Sequence, residues 1–257
     1  MKKAILVVSF GTSHLMQKEE SIDPCISRIG EAFKEWDIYE SFSSDFLRKK
    51  VKERNGLMIL SPKEAIEKLK EEGYIKIVVQ PLFLIEGIEY DKLIELANEY
   101  RAYLSIEVGK PLLSEKEDYK TVVAELESIY KNDPTELLIL GHGSSHQTHH
   151  SYGILQEVLN ETSLRACVTT LEERDQIHNL PFEGCVLTLI PFMLVAGSHI
   201  IEDVLGEHES SWMSGLTELG YEVEVVERGL GSYKSIQNLY ISHIKQCLEV
   251  YKMEDVL

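Results

Sequence analysis

Two histidines stand at places in the sequence where histidine chemistry is expected. His142 lies between two glycines, in the run Gly-His-Gly-Ser-Ser that follows a continuous apolar stretch typical of a buried strand. His199 follows a second apolar run and a Gly-Ser pair. A neutral imidazole accepts a proton near pH 7 and also binds Co, Ni, Fe or Zn. The two histidines therefore predict proton transfer, metal binding, or both.

The sequence contains an internal repeat that relates the two histidines to the first half of the chain. Residues 4–14 align without gaps on residues 136–146, and residues 80–89 align on residues 190–199, in the same order. Two such matches in one order indicate a duplicated chain. The two halves are therefore expected to share one fold and to differ where the chemistry lies.

The repeat is broken at the positions of the histidines. Phe10 occupies the position of His142 in the first half, and Glu89 occupies the position of His199. All four positions follow strands, at the sheet edge where open α/β sheets place their ligands. If the halves face each other about a pseudo-twofold axis, the four positions converge on one cleft. We expect His142, His199 and Glu89 to be catalytic; the alternative for Glu89 is a first-turn carboxylate stabilised by its helix dipole.

Turns beside these strand ends are expected to hold an anionic substrate through backbone N–H groups. The predicted substrate-binding residues are Phe10, Gly11, Thr12, Ser13, Gly143, Ser144 and Ser145. Three further histidines, His146, His149 and His150, are more typical of exposed helix positions than of a zinc site, because no HExxH pattern is present. The chain also lacks a Walker lysine and a GxGxxG loop, which argues against nucleotide binding.

Strands and helices alternate along the chain, which predicts an α/β fold. Apolar runs predict strands at residues 3–9, 37–42, 76–81, 104–108, 136–140, 165–169, 185–190 and 222–226. We predict two similar, duplicated domains, each with a four-stranded parallel sheet flanked by helices, and an active site in the cleft between them. The N-terminal domain is predicted to span residues 1–122 and the C-terminal domain residues 123–232. A helix within residues 233–257 is expected to pack back on the first domain.

Composition excludes several classes of partner. The chain has 26 basic and 43 acidic residues and a formal charge of −17. Such a surface argues against nucleic acid and against anionic membranes. Four scattered cysteines and the lack of a leader-like segment predict a reduced, cytoplasmic protein. The sequence is compatible with a homo-oligomer and does not fix the oligomeric state.

The motifs together resemble a known family. The runs Phe10–Ser13, Gly141–His146 and Pro191–His199 are similar to those of the anaerobic cobaltochelatases called CbiK, class II chelatases related to ferrochelatase. The resemblance extends over essentially the whole chain. It implies insertion of Co²⁺ into sirohydrochlorin on the anaerobic route to vitamin B12, with no organic cofactor. Alternatives are Fe²⁺ or Ni²⁺ as the metal, or a non-catalytic carrier of metal or tetrapyrrole.

The resemblance also implies a metal site of two histidines and one glutamate. His142 and His199 match the histidines. The glutamate follows a strand in a Thr-x-Glu context, which makes Glu172 the predicted ligand. The chain departs from the family pattern after this residue, so Glu173 stays an alternative.

The substrate implied by the resemblance is a polycarboxylate, which the acidic surface would repel at long range. Local bases must then hold it, and Arg48 and Lys49 are the predicted ones. The acidity favours the divalent cation instead, through Glu202 and Asp203.

Overall fold

The computed structural model describes residues 2–133, 135–143, 150–184, 186–197, 204–206, 208 and 211–254. The chain divides into two compact units. Unit 1 comprises Met1–Ser114 and Gly231–Leu257, and unit 2 comprises Glu115–Leu230. The predicted boundary after residue 122 falls inside helix α6 (Lys116–Tyr130), and it stays a prediction.

Unit 1 is built on a parallel sheet in which the two central strands are buried on both faces. The strands are β1 (Lys2–Ser9), β2 (Asp37–Phe42), β3 (Tyr74–Pro81) and β4 (Ser105–Val108), in the order β2-β1-β3-β4. The helices are α1 (Leu15–Gln17), a π-helical segment (Lys18–Ile22), α2 (Asp23–Ala32), α3 (Asp45–Asn55), α4 (Pro62–Glu71), α5 (Ile88–Tyr100) and α9 (Lys234–Glu254). Burial on both faces explains the continuous apolar runs of β1 and β3.

Unit 2 repeats the same sheet topology. Its strands are β5 (Glu136–Gly141), β6 (Ala166–Thr170), β7 (Val186–Phe192) and β8 (Glu222–Val225), in the order β6-β5-β7-β8. Its other elements are α6, α7 (His150–Leu159), a 3-10 helix (Leu171–Asn179) and α8 (Trp212–Glu218). All pairings in both sheets are parallel. The prediction of two four-stranded parallel sheets flanked by helices is confirmed.

Local signals account for the ends of several elements. Ser61 caps α4: its Oγ accepts from the backbone N–H of Glu64 at 3.2 Å, and the Glu64 carboxylate accepts from the Ser61 N–H at 2.7 Å. Gly73 ends the connection to β3 with a φ of +82°, a value that favours glycine. The start of β3 lies at Tyr74, before the predicted residue 76, because Tyr74 pairs with Lys2.

The C-terminal helix α9 belongs to unit 1, where it packs on α2 and β3. The Tyr251 hydroxyl donates to the carbonyl of Ile77 at 2.7 Å, and the Tyr240 hydroxyl donates to the carbonyl of Phe83 at 3.3 Å. These bonds connect the helix to β3 and to the segment that follows it. None of the helices within the described ranges is long and apolar enough to cross a membrane.

Candidate functional site

The turn after β5 presents His142 between two glycines that the packing requires. His142 is exposed and directly follows the strand. A Cβ on Gly141 would lie 2.3 Å from the ring of Tyr152, and a Cβ on Gly143 would lie 2.8 Å from the carboxyl carbon of Glu172. Gly143 also has a φ of +97°, in the left-handed region. The turn that carries His142 is therefore packed against an aromatic ring and a carboxylate.

Glu172 and Glu173, the two alternatives for the carboxylate ligand, have different surroundings. The Glu173 carboxylate accepts from the backbone N–H of Thr170 at 3.1 Å and from its hydroxyl at 3.0 Å. These contacts form a capping box that starts the 3-10 helix. Glu172 is exposed and lies against Gly143, the residue after His142. Glu173 thus orders the helix start, while Glu172 lies beside the histidine turn.

Tyr152 of α7 is a residue of this site that sequence reasoning missed. Its hydroxyl accepts hydrogen bonds from the backbone N–H groups of Gly143, at 3.4 Å, and of His142. Burial raises the pKa of the phenol, which therefore stays protonated at neutral pH. The signal that points to it is the replacement of Ser9 by Gly141 in the second repeat, because only a residue without a side chain leaves room for the ring.

The corresponding turn after β1 has the same backbone form and different surroundings. Gly11 has a φ of +103°, and a Cβ there would lie 2.5 Å from the ring of Phe42. The Phe10 side chain is 50% exposed, whereas Thr12 and Ser13 are buried. The turn therefore offers solvent an aromatic ring, and its two hydroxyl side chains are packed inside unit 1.

Glu89 lies in the first turn of α5 and has a partner within its own helix. Its carboxylate forms an ion pair with Lys92 at 2.6 Å, and its side chain is partly exposed. Both features fit the alternative of a first-turn carboxylate stabilised by the helix dipole. A part for Glu89 in proton transfer stays a prediction.

Several predicted site residues lie outside the described residues. They are His199, Ser144 and Ser145, together with His146, His149, Glu202 and Asp203. His150 is described and is exposed at the start of α7, as predicted. Within the described ranges, no group of three or more His, Cys, Asp or Glu side chains is arranged to hold a metal ion. The structure thus places two of the three predicted ligands, His142 and Glu172, next to the same turn.

Three solved structures have a similar fold. SirB from Bacillus subtilis with Fe³⁺ superposes with a TM-score of 0.64 at 15% identity, covering 96% of each chain. The sirohydrochlorin chelatase SirB from Bacillus subtilis subspecies spizizenii in complex with cobalt gives 0.64 at 16% identity, over 97% of this chain and 96% of the other. CbiX, described as the terminal enzyme for siroheme biosynthesis in denitrifying bacteria, gives 0.59 at 14% identity, over 95% and 98%. The fold is therefore that of the chelatases.

Sequence comparison then gives the family. The sequence model of the family described as "Cobalt chelatase (CbiK)" matches residues 3–249. The sirohydrochlorin cobaltochelatase of Salmonella typhimurium is 30% identical over 258 residues, covering 97% of this chain and 98% of its own. Sirohydrochlorin cobaltochelatase CbiKC of Nitratidesulfovibrio vulgaris is 27% identical over 259 residues, covering 95% and 89%. The chain belongs to the CbiK family of cobalt chelatases, and the resemblance found in the sequence is confirmed.

Proposed function

We propose that this protein is a sirohydrochlorin cobaltochelatase, which inserts Co²⁺ into sirohydrochlorin, with release of two ring protons, in anaerobic cobalamin biosynthesis. The observation that carries the proposal is the placement of an imidazole and a carboxylate beside one strand-end turn in a member of the CbiK family. Free thiols at Cys25, Cys167 and Cys247 fit a reducing compartment, and we assign the protein to the cytoplasm.

His142 has two tasks in the proposed mechanism. Insertion requires the loss of two ring N–H protons and delivery of a dehydrated cation to the ring centre. The neutral imidazole of His142 accepts one proton, because imidazole is the side chain best suited to general acid–base work at neutral pH. It also holds the Co²⁺ substrate before transfer. The exposure of His142 leaves the ring accessible to both substrates.

Glu172 and His199 complete the proposed metal-holding set. The Glu172 carboxylate lowers the net charge of the bound cation, and it is free to do so because Glu173 provides the capping contacts. The set must stay open, since a closed tetrahedral site would retain the metal. We assign the second ring proton to Glu89, whose ion pair with Lys92 would have to open.

Anaerobic metallation of sirohydrochlorin tests the function. Purified protein is mixed with sirohydrochlorin and Co²⁺, Fe²⁺ or Ni²⁺ in separate reactions, and the change in the absorbance spectrum is followed. We expect many turnovers per protein with Co²⁺, and the highest kcat/KM with that ion. Faster insertion of Fe²⁺ or Ni²⁺ would replace the proposed metal, because imidazole and carboxylate ligands suit all three. Stoichiometric binding without turnover would instead show a carrier.

His199→Ala separates metal binding from proton transfer. We expect the KM for Co²⁺ to rise while the KM for sirohydrochlorin changes little, because His199 is proposed to bind the metal and not the ring. Isothermal titration with Co²⁺ gives the affinity directly. Wild-type affinity in this variant would remove His199 from the ligand set.

A further inference from the structure

Helix α3 is a basic segment in an acidic chain. The whole protein carries a net charge of −17, yet α3 has five basic and two acidic residues. The helix follows β2 directly, at the edge of the sheet where β1 also ends. Its positive charge therefore lies close to the predicted substrate turn of unit 1.

The cations of α3 are not equally available to a ligand. The guanidinium of Arg48, one of the two bases predicted from the sequence, forms ion pairs with Asp45 and with Glu64, the latter at 3.1 Å. The hydrogen bond from Arg48 lowers the pKa of the Asp45 carboxyl, so this pair stays charged at neutral pH. Lys49 is exposed and has no ion pair with any described residue. Arg48 is therefore neutralised locally, and Lys49 is not.

One face of α3 combines two lysines with an aromatic ring. Phe46, Lys49 and Lys50 are spaced i, i+3 and i+4, which places them on the same helix face. The Phe46 side chain is 68% exposed, and the Lys50 ammonium lies 5.3 Å from its ring centroid. This helix face therefore presents a large exposed ring with an ammonium group beside it.

This face is connected to the strand-end turn by the start of the helix. Ser44 caps α3, because its Oγ accepts from the backbone N–H of Leu47 at 3.3 Å. The Ser44 N–H donates to the carbonyl of Phe10, also at 3.3 Å. Phe10 is itself half-exposed. Two exposed aromatic rings thus lie on segments that share a hydrogen bond.

We propose that Phe46, Lys49 and Lys50 bind the tetrapyrrole substrate, with the two ammonium groups on peripheral carboxylates and the phenyl ring against the macrocycle edge. The proposal rests on the proposed function. Ammonium–carboxylate hydrogen bonds are charge-assisted, and an aromatic ring offers apolar area to a conjugated ring. A polycarboxylate macrocycle presents both features together. Charges farther away than about 8 Å are largely screened at physiological salt, so these local cations act despite the acidic surface.

Charge reversal with a matched control tests the proposal. Lys49→Glu/Lys50→Glu is compared with Lys34→Glu/Lys245→Glu, which makes the same change of net charge at exposed lysines of α9 and of the segment after α2. Binding of metal-free sirohydrochlorin is measured by fluorescence quenching at two salt concentrations, and KM is measured for each substrate. We expect the Kd and KM for sirohydrochlorin to rise about tenfold in the α3 variant, with less effect at high salt. The KM for Co²⁺ stays within about twofold, and the control binds sirohydrochlorin like the wild type.

Two further variants separate the contribution of the lysine charges from that of the aromatic ring. Lys49→Arg/Lys50→Arg should retain tight binding because the charges remain, whereas Phe46→Ser should weaken binding in a way that salt does not alter. Circular dichroism confirms that each variant is folded. Unchanged sirohydrochlorin affinity in the Lys49→Glu/Lys50→Glu variant, or an equal loss in the Lys34→Glu/Lys245→Glu control, would overturn the proposal. Either result would leave the proposed function in place, provided that the wild type metallates sirohydrochlorin. A wild type that neither binds nor metallates sirohydrochlorin would instead refute the proposed function.

Discussion

The turns after β1 and β5 have the same backbone conformation but different neighbouring side chains. Both have a glycine with a φ near +100°, Gly11 at +103° and Gly143 at +97°. A Cβ on either glycine would displace a neighbouring side chain, which is the ring of Phe42 in unit 1 and the carboxylate of Glu172 in unit 2. The residue before the glycine also differs: it is Phe10 in unit 1 and His142 in unit 2. Unit 1 therefore has an aromatic ring at its turn where unit 2 has an imidazole with a carboxylate beside it, the two groups proposed to bind the metal.

This difference is what we would expect if the proposed reaction were divided between the two units. The backbone geometry of the turn is kept because the parallel sheet and the close approach of a neighbouring element require it. The side chains that the turn presents are free to change. We interpret unit 2 as the source of the groups that handle metal and protons, and unit 1 as the source of aromatic and cationic groups for the macrocycle.

Alanine at Gly11 or at Gly143 is expected to have the largest effects, and the effects should differ between the two turns. Gly143→Ala is expected to displace Glu172 and to raise the KM for Co²⁺ by about 10- to 100-fold, the range seen when groups that support metal ligands are removed. Gly11→Ala is expected to displace Phe42 and to cost about 1–3 kcal/mol of unfolding free energy, with no comparable change in the KM for Co²⁺. Steady-state kinetics and urea denaturation measure the two effects. If both variants changed the KM for Co²⁺ equally, the turn of unit 2 would have no special part in handling the metal.

Tyr152→Phe tests how the histidine turn is held. The variant keeps the ring against Gly141 and loses the oxygen that accepts from the N–H groups of His142 and Gly143. We expect kcat/KM for Co²⁺ to fall about tenfold, through kcat as much as KM, while the melting temperature changes little. Tyr39→Phe in unit 1, which loses a hydrogen bond to Tyr74, is the matched control. A similar loss in both variants would make the Tyr152 effect a general one of stability.

The capping boxes that begin at Ser61 and at Thr170 give a smaller contrast. Glu173→Ala in unit 2 and Glu64→Ala in unit 1 each remove one box and should cost about 1 kcal/mol of unfolding free energy. Only the Glu173 variant should also weaken Co²⁺ binding, by less than about tenfold, because its helix carries Glu172. Calorimetric titration with Co²⁺ checks this. An equal Co²⁺ affinity in the two variants would show that the cap does not position Glu172.

The box at Ser61 also predicts a small dependence of stability on pH. Hydrogen bonds from Ser61 lower the pKa of Glu64 in the folded chain. The contribution of the Glu64 carboxylate to stability is therefore fully present above the pKa of a glutamate in the unfolded chain, about 4.3. It is lost as the pH falls through the lower pKa of Glu64 in the folded chain. Because Glu64 is exposed, we expect less than about 1 kcal/mol. Glu64→Gln should lower unfolding free energy at pH 7 more than at pH 3; the same loss at both would contradict this.

Sequence reasoning reached the fold and the histidine turn because both depend on local pattern. Continuous apolar runs predicted the strands, and the repeat identified His142 as a substitution for Phe10. The different surroundings of Glu172 and Glu173 were visible only in the structure, where Glu173 caps the helix and Glu172 lies against Gly143; Glu172 as the ligand stays a proposal.

Contacts between residues that are far apart in the sequence could not be predicted from local sequence pattern. Tyr152 lies ten residues beyond His142, and its hydroxyl contact depends on how α7 returns to the end of β5. Arg48 was predicted to bind an anion, but its ion pair with Glu64 joins two helices that the sequence does not show to be in contact.

Metallation by His142→Ala tests whether metal and proton chemistry belongs to the turn of unit 2. The absorbance change of sirohydrochlorin with Co²⁺ is followed under anaerobic conditions for the wild type, His142→Ala and Phe10→Ala. We predict a loss of about 10²- to 10⁴-fold in kcat for His142→Ala, the range for removing a general base. Phe10→Ala should affect mainly the KM for sirohydrochlorin. Insertion at the wild-type rate by His142→Ala would show that the imidazole of His142 is not needed for the reaction.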